Sequence, residues 1–523
     1  MKTIPKGPFL GVNNRRPEYA LHAGDNGDFL RDALNVDIDN AGTLRRRKEA
    51  ELIHAMSNAH SLHMTNDTTG YLVRGGTIYA VTMPSYAETL FKVLSNDNPC
   101  SWLEWNGDLY YSNGTDSGRI HGGVWYPMAL PTPNAPTIST TSGSLMAGKY
   151  QVAVSQYNAT TGEEGGVSAS ANYEINATGG LRVNLPALAD GATHILIYVS
   201  ATNGAIPKMY GQSAVGGVNY DIVTDAAGRE AVQRYEAPLP AGWLFMFNGC
   251  LCSYKDNCVY EGLPFKPGYY IPSEGRVPFP AKVSNCVPAQ NGIYVVADKT
   301  YWIPGTRITT AEGIIQDVLP YGGVPHTEFS VPSKSLYGWF GNEGFVLGTP
   351  SGEVQAVMSD NIKLTPPASG VSTILETEEY RRVVSCGWCM NLDTKAATRY
   401  DCAFTSTSVI YGTKPDGLYL LEGVGDVAWL VDFGKENFGA EEKKRMPAAY
   451  LGCSSSEPLE LRIQTPQHDY TYTARSCSDE LKEHRVDPGK GLLSNWFNLS
   501  IQGTTDFKLA SVSFSPVAST RRI

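Results

Sequence analysis

The chain has 523 residues, 42% of them hydrophobic, and a formal net charge of −10 from 52 acidic and 42 basic side chains. That apolar share excludes wholesale disorder. The acidic balance argues against a tight nucleic-acid binder, which needs clustered cations to displace counterions from phosphate. At roughly 100–200 residues per domain, the length predicts about three domains. Gly (53), Pro (32) and Tyr (29) are numerous, and Tyr, Val and Thr recur in short runs, an all-β signature with many turns. The nearest approach to an amphipathic helix, residues 435–446 (KENFGAEEKKRM), is short and charged. The opening MKTIPKGPFLGV lacks the apolar core of roughly 7–15 residues that a secretory signal needs, and no transmembrane run follows, so synthesis in a cytoplasm is expected. Ten cysteines are too dilute for a disulfide scaffold, and sequons such as Asn113-Gly-Thr carry no weight without a secretory route.

Residues 11–48 hold the most informative stretch. Within it FLRDALNVDIDNAGTLRRRKE reads as an extended arm, an Asn-Ala-Gly turn and a second short arm ending in consecutive cations. Asp39, Asn40 and Gly42 supply turn chemistry. Leu34, Val36 and Ile38 alternate and can point inward, with Leu44 facing them, which predicts a hairpin at an edge or closing position of a β-architecture.

From about residue 60 a phrase recurs, a Gly-containing turn followed by a strand rich in Tyr or aliphatics. It reads RGGTIYAV at 74–81, WNGDLYYS at 105–112, FNGCLCSY at 247–254 and QNGIYVVADKTYWI at 290–303. Later forms are NEGFVLGTPSGEVQAV at 342–357 and KPDGLYLLEG at 414–423. Asn-Gly and Asp-Gly between β-rich runs are hairpin signals. The spacing matches irregular four-stranded propeller blades, the alternative being unrelated hairpins in a sandwich. About 110 residues interrupt the series. They begin at PTPNAPT (131–137) and continue through a strand in which Tyr150, Val152 and Val154 alternate, then LRVNLP and HILIYVSATNG. Short alternating strands with turns every 8–12 residues or so predict an immunoglobulin-like sandwich. A third unit follows 427–433, with Leu459, Leu461 and Ile463 alternating, then Phe497, Leu499, Ile501, Phe507, Leu509, Val512 and Phe514 in the closing run.

Two resemblances follow from these residues. AGKYQVAVSQYNATTGEEGG resembles fibronectin type III modules. The segment Asn35-Val36 through Gly42, Leu44-Arg45 and Arg47, together with the closing run and its final Pro-Val and paired arginines, resembles the tail hub, or nozzle, proteins of short-tailed bacteriophages. The likeness covers most of the chain outside the insertion. It implies residues 1–130 as the N-terminal part of a β-propeller, 131–237 as an inserted fibronectin type III-like domain, 238–435 as the rest of the propeller and 436–523 as a C-terminal β-domain. It also implies a structural virion protein, not an enzyme, assembled in the host bacterial cytoplasm into a homo-oligomeric ring, sixfold by family. The ring would sit below the head-to-tail connector or adaptor proteins, meet tail fibre or tail needle proteins and the cell envelope, and let double-stranded genomic DNA pass without sequence-specific binding. The alternative is a β-propeller that binds or cleaves glycans.

Candidate chemistry is sparse. Cys386-Gly-Trp-Cys389 is a lone CxxC, and reading RRVVSCGWCM as one strand sends the two thiols to opposite faces. His54, His60 and His63 lack an acidic or cysteine partner at metal spacing, so no metal and no cofactor is expected. Glu163-Glu164 and Glu376 with Glu378-Glu379 fall in expected turns, and no sialidase box, Gly-x-Ser-x-Gly elbow or Walker loop occurs, so no catalytic residue is assigned. Arg45, Arg46, Arg47 and Lys48 form the densest basic run. They are read either as a contact to an acidic neighbouring subunit or adaptor, or as a solvated strand end with Glu49 and Glu51 as local partners.

Overall fold

A computed structural model describes residues 3–309, 315–439, 441–489 and 491–519. The chain is all-β. Its helical segments, among the described residues, are 3-10 turns at Glu18–Ala20, Gly24–Asn26, Val232–Tyr235 and Pro332–Lys334. Two units divide it, residues 92–317 and residues 1–91 with 318–523.

The 92–317 unit contains three four-stranded antiparallel meanders. The first runs Ser101–Trp105, Asp108–Ser112, Ser117–His121 and Val124–Pro127; the second Trp243–Phe247, Cys250–Lys255, Cys258–Tyr260 and Arg276–Pro278. The third is Asn285–Ala289, Gly292–Val296, Thr300–Pro304 and Gln316–Leu319. Their recurring phrases are hairpin turns. At Asn106-Gly107 and Asn248-Gly249 both residues take positive φ, the type I′ geometry whose twist matches the flanking strands. Between the second and third meanders Phe245, Cys252, Val259, Cys286, Ile293 and Val295 form one buried cluster. The Ser101 hydroxyl accepts the Leu244 N–H at 3.0 Å, lacing the first meander to the second.

Between those meanders the chain forms two further sheets. Thr137–Leu145, Gly179–Asn184 and Asn219–Ile222 make one; Gly148–Asn158, pairing with Glu163–Val167, Ala171–Ile175 and His194–Val199, anchors the other, which Lys208–Gln212 extends. Tyr150, Val152 and Val154 point into a shared core with Leu181, Val183, Ile195 and Ile197, as their alternation predicts. The entering and leaving chains meet at Gly166, where a Cβ would lie 2.3 Å from the Thr132 hydroxyl oxygen and 2.4 Å from the Glu236 carbonyl oxygen. Only glycine lets the two chains approach the strand this closely.

The other unit holds two complete meanders, His60–Met64 to Ala87–Val93 and Phe329–Val331 to Val354–Ala356. A third is built from Ser406–Ser408, Tyr411–Lys414 and Gly417–Leu420, completed by Glu51–Ala55 from the N-terminal end of the chain. Ser406 and Ser408 hydroxyls accept the Leu62 and Met64 N–H groups, each at 2.8 Å. A fourth meander, Ser372–Glu376 to Ala397–Arg399, continues through Asp32–Leu34 into a nine-stranded sheet with Trp429–Glu436, Phe497–Gly503, Glu460–Gln464 and Asp469–Thr473. A seven-stranded sheet centres on Lys444–Ser455 and Phe507–Ala518.

The hairpin expected around residue 40 is Val36–Ile38 against Leu44–Arg46, with Ile38 opposite Leu44. Leu34 departs from the expected arm. Asn35 has φ of 57°, which breaks the extended run and puts Leu34 in the nine-stranded sheet. Residues 4–46 supply strands to the C-terminal sheets: Ile4–Lys6 and Leu44–Arg46 both pair with Phe507–Ala518. Blade-like pairing begins only at Glu51, so the stretch before it is not part of a meander apart from Asp32–Leu34, which extends one. The closing arginines, Arg521 and Arg522, lie outside the described residues.

Because the chain ends of the 137–222 sheets lie side by side at Gly166, a short Gly-Ser linker in place of residues 132–236 adds little closure entropy. The shortened protein is expected to stay soluble and unfold cooperatively in urea, and insoluble or non-cooperative material would contradict this geometry.

Candidate functional site

The basic run lines the wall of a cleft of about 990 Å³. Leu44–Arg46 brings it there, and the turn before it is fixed by Asp39, whose Oδ1 accepts the Ala41 and Thr43 N–H groups, both at 2.9 Å. Arg45 donates Nε and Nη2 to Asp39 Oδ2 at 3.2 and 3.1 Å and also pairs with Glu379. Arg46 reaches Asp426 at 3.0 Å, the Gly425 carbonyl at 2.9 Å and Asp506 at 3.7 Å. Arg47, with a side chain only 4% exposed, donates to Asn35 Oδ1 and to Asp401, both at 2.8 Å, and lies 5.4 Å from the Tyr400 ring centroid. Burial alone would lower its pKa, but neighbouring Cys402, Asp401 and Glu49 raise it. Lys48, 61% exposed, lies 3.7 Å from Glu422.

The structure thus brings all four sequence-selected cations together with carboxylates, most of them distant in sequence. Glu49 is one partner, at 3.6 Å from Arg47. The expected partner Glu51 instead sits on the strand that completes a meander.

Behind this wall is a network that sequence reading missed. Asp37 and Arg382, each with a side chain 3% exposed, meet at 3.2 Å. Asp37 also accepts the Tyr380 hydroxyl at 3.0 Å and the Tyr400 hydroxyl, with the Cys389 sulfur at 3.6 Å. Arg382 Nη2 donates to Glu422. Burial first, then the Asp37 charge, pushes the Tyr380 and Tyr400 hydroxyls and the Cys389 thiol well up, so all three keep their protons. A thiol held protonated is a poor nucleophile and a poor metal ligand. Alternation in NVDID puts Asp37 on the face opposite Val36 and Ile38, and nothing local distinguishes a buried acid there from a solvated one.

The CxxC differs from its expected place. Arg381–Ser385 and Trp388–Asn391 are two strands, and Cys386-Gly387 is the type I′ turn between them, with φ of 53° and 77°. The motif is another copy of the recurring hairpin phrase. Among the described residues no group of three or more His, Cys, Asp and Glu side chains is placed to hold a metal ion, and His54 stacks on Tyr86 at 4.2 Å. Glu163 and Glu164 lie on a strand instead of a turn.

No protein-family model and no curated protein matches the chain. Among solved structures it is similar to an exo-β-1,3-galactanase from Phanerochaete chrysosporium, at 9% identity over 80% of this chain and 95% of that one, with a TM-score of 0.20. It is also similar to a glycoside hydrolase family 43 arabinoxylan arabinofuranohydrolase from Bacillus subtilis, at 10% identity over 93% and 96%, with a TM-score of 0.17. Likenesses this weak carry no argument about what the chain does.

Removing one partner of a buried pair leaves the other charge uncompensated. Asp37→Ala is therefore expected to cost about 3–5 kcal/mol, whereas Lys48→Ala, whose side chain is 61% exposed, costs about 0–1 kcal/mol. Urea unfolding of the two variants checks the contrast, and equal losses would contradict it.

Proposed function

We propose that this protein is a structural subunit of a bacteriophage tail, a hub or nozzle protein that assembles into a closed ring around the DNA-ejection path. The observation that carries the reading is where the two resemblance-bearing stretches lie. The segment around residues 35–47 and the closing strand are more than 450 residues apart. Yet Leu44 pairs with Leu509, Arg45 with Lys508, and Ile4 with Phe514, so both belong to one sheet. Four-stranded meanders joined by serine hydroxyls, with Glu51–Ala55 completing the last of them, support a β-propeller closed by strands from both halves of the chain. We read the two sheets between 137 and 222 as its fibronectin type III-like insertion, available to tail fibres or the cell envelope.

The charge arrangement supports a conduit that does not grip its cargo. Arg45, Arg46 and Arg47 are committed to carboxylates of their own subunit, which leaves little of the densest basic run free to hold phosphate. A contact of this run with an adaptor or a neighbouring subunit then rests on Lys48 and on the exposed acids Glu379 and Asp506.

The glycan-cleaving alternative needs two carboxyl groups across a cleft, one of them held protonated. Burial raises Asp432 and Glu436 above the ordinary carboxylate range, but both lie on the strand Trp429–Glu436, and Glu436 is paired with Lys6. In the cleft, Asp37, Glu376, Glu379, Glu422 and Asp506 each face a cation, and Glu378 and Asp479 complete its acidic lining. The pairing of most of these acids supports a structural role over catalysis.

Electron microscopy of the purified protein and of intact particles tests the reading. The expected result is a closed ring whose bore carries few Lys or Arg side chains. A subunit that stays monomeric in the particle, or Arg45, Arg46 and Arg47 projecting together into the bore, would overturn it.

A further inference from the structure

The strand pair Trp429–Glu436 and Phe497–Gly503 ends in two unlike surfaces. The register sets Glu436 opposite Phe497 at one end and Trp429 opposite Gly503 at the other. Eight residues of strand hold the two ends roughly 26 Å apart. At the Glu436 end the surface is aromatic and basic. The 3-10 turn Glu18–Ala20 lies beside Gly434, where an added Cβ would come 3.5 Å from the Glu18 carbonyl oxygen. This sets the exposed Tyr19 against Trp496, with ring centroids 6.3 Å apart, and Lys435 Nζ lies 5.6 Å from the Trp496 centroid. Just before the turn, the Arg16 guanidinium stands 5.1 Å from the Phe29 ring centroid. Arg31 faces Glu18 at 3.8 Å. Arg16 and Lys435 are exposed and, among the described residues, lie on rings and make no ion pair. Exposed Tyr and Trp beside cations are the composition of interface hot spots.

The Trp429 end is apolar and acidic. The loop before Trp429 lifts Val424 until it is 92% exposed. Asp426 and Asp506 have side chains 69% and 77% exposed, and both draw on Arg46, itself only 11% exposed. Two carboxylates thus share one recessed cation, which leaves negative charge facing water. Val424 and Asp506 line the large cleft together with Asp479, another exposed acid. Lys48 is exposed there too, but it faces Glu422.

We propose that these two ends meet between neighbouring copies of this chain. Tyr19 and Trp496 of one copy receive Val424 of the next, and Arg16 and Lys435 answer its Asp426 and Asp506. The contact rests on the proposed ring and says which surfaces build it. Charge decides the orientation, because either end set against its own copy would bring like charges together. Two unlike surfaces that match make a head-to-tail contact, the kind that closes into a ring when the rotation is right. Nucleic acid would also seek cations beside rings, but two uncommitted cations make a poor track for phosphates, and the acidic match is carried by the same chain.

Sedimentation velocity of the full-length protein tests the contact. The parent should sediment as an oligomer that dissociates as salt rises, since exposed charges hold it. Arg16→Gln with Tyr19→Ala strips one end of a charge and a ring, and Val424→Arg sets a cation where the neighbour's cations stand. Each variant should be monomeric with its thermal midpoint unchanged, because the altered side chains face solvent. Mixed, the two should form a one-to-one dimer and nothing larger, since each brings one intact end. Either variant keeping the parent's oligomer would overturn the proposal, as would monomeric variants that form no dimer when mixed. A parent that sediments as a monomer would overturn it too. Single-stranded DNA bound by that monomer, and not by the Arg16→Gln and Tyr19→Ala variant, would assign the basic end to nucleic acid instead. Whether a ring forms in the particle is read separately by microscopy, so the contact can fail while the ring reading stands, and the reverse.

Discussion

The left-handed backbone of Asn35 decides how the two ends of the chain meet. One residue earlier the chain pairs in the nine-stranded sheet, with Leu34 opposite Leu430; one residue later it pairs in the seven-stranded sheet, with Val36 opposite Arg46. A β-branched residue could not make that corner cheaply, whereas asparagine visits the conformation routinely. The Asn35 side chain then binds on several sides. Its Nδ2 donates to the Ala428 carbonyl at 2.7 Å, and its Oδ1 accepts Arg47 Nε at 2.8 Å and the Asp401 N–H at 3.2 Å. One carboxamide thus ties the hairpin to the strand that leads into the C-terminal sheets and to the segment that leads into the last meander.

The buried charges around this corner are better understood as specifying an arrangement than as adding stability. Moving Asp37, Arg382 and Arg47 out of water costs several kcal/mol per ion, which their mutual attraction roughly offsets. What the network excludes is every alternative pairing, because any slip of the hairpin leaves Arg382 or Asp37 buried without its partner. We infer that this is why the densest basic run in an acidic protein lies where it does. Asp39, Asp401, Asp426 and Asp506 answer Arg45, Arg47 and Arg46, and the cations serve the subunit's own frame.

The all-β class, the hairpin phrases and the alternating core of the 137–222 sheets were legible in the sequence, because each depends on local chemistry: turn residues, and a period of two. What was not legible depends on pairing between distant segments. Nothing near Leu44 says that its neighbour is Leu509, and nothing near Glu51 says that its strand completes a meander with Gly417–Leu420. Cys386-Gly387 is misread when RRVVSCGWCM is taken as one continuous strand; as turn chemistry, a Cys-Gly pair between β-rich runs is the same signal as Asn106-Gly107. The cleft's cations were visible as a run, but their partners were scattered from Asp39 to Asp506. Asp37 itself was hidden, since alternation alone cannot tell a buried acid from a solvated one.

These distant pairings also constrain how the chain can fold. The meander ending in Gly417–Leu420 lacks its outer strand until Glu51–Ala55 arrives. Trp429–Glu436 likewise needs Asp32–Leu34 to join it to the preceding meander through Leu34 and Arg399. Until those N-terminal strands dock, both sheets present unpaired edges, the surfaces most prone to pairing with another chain. Contacts spanning nearly the whole sequence make folding slow, because loop closure comes before the contacts that reward it. Asp39 counters this locally. By closing its own turn through Ala41 and Thr43, it lets the hairpin form from neighbouring residues alone, so that a finished two-stranded piece, with Arg45 already on Asp39, is ready when Phe507–Ala518 arrives.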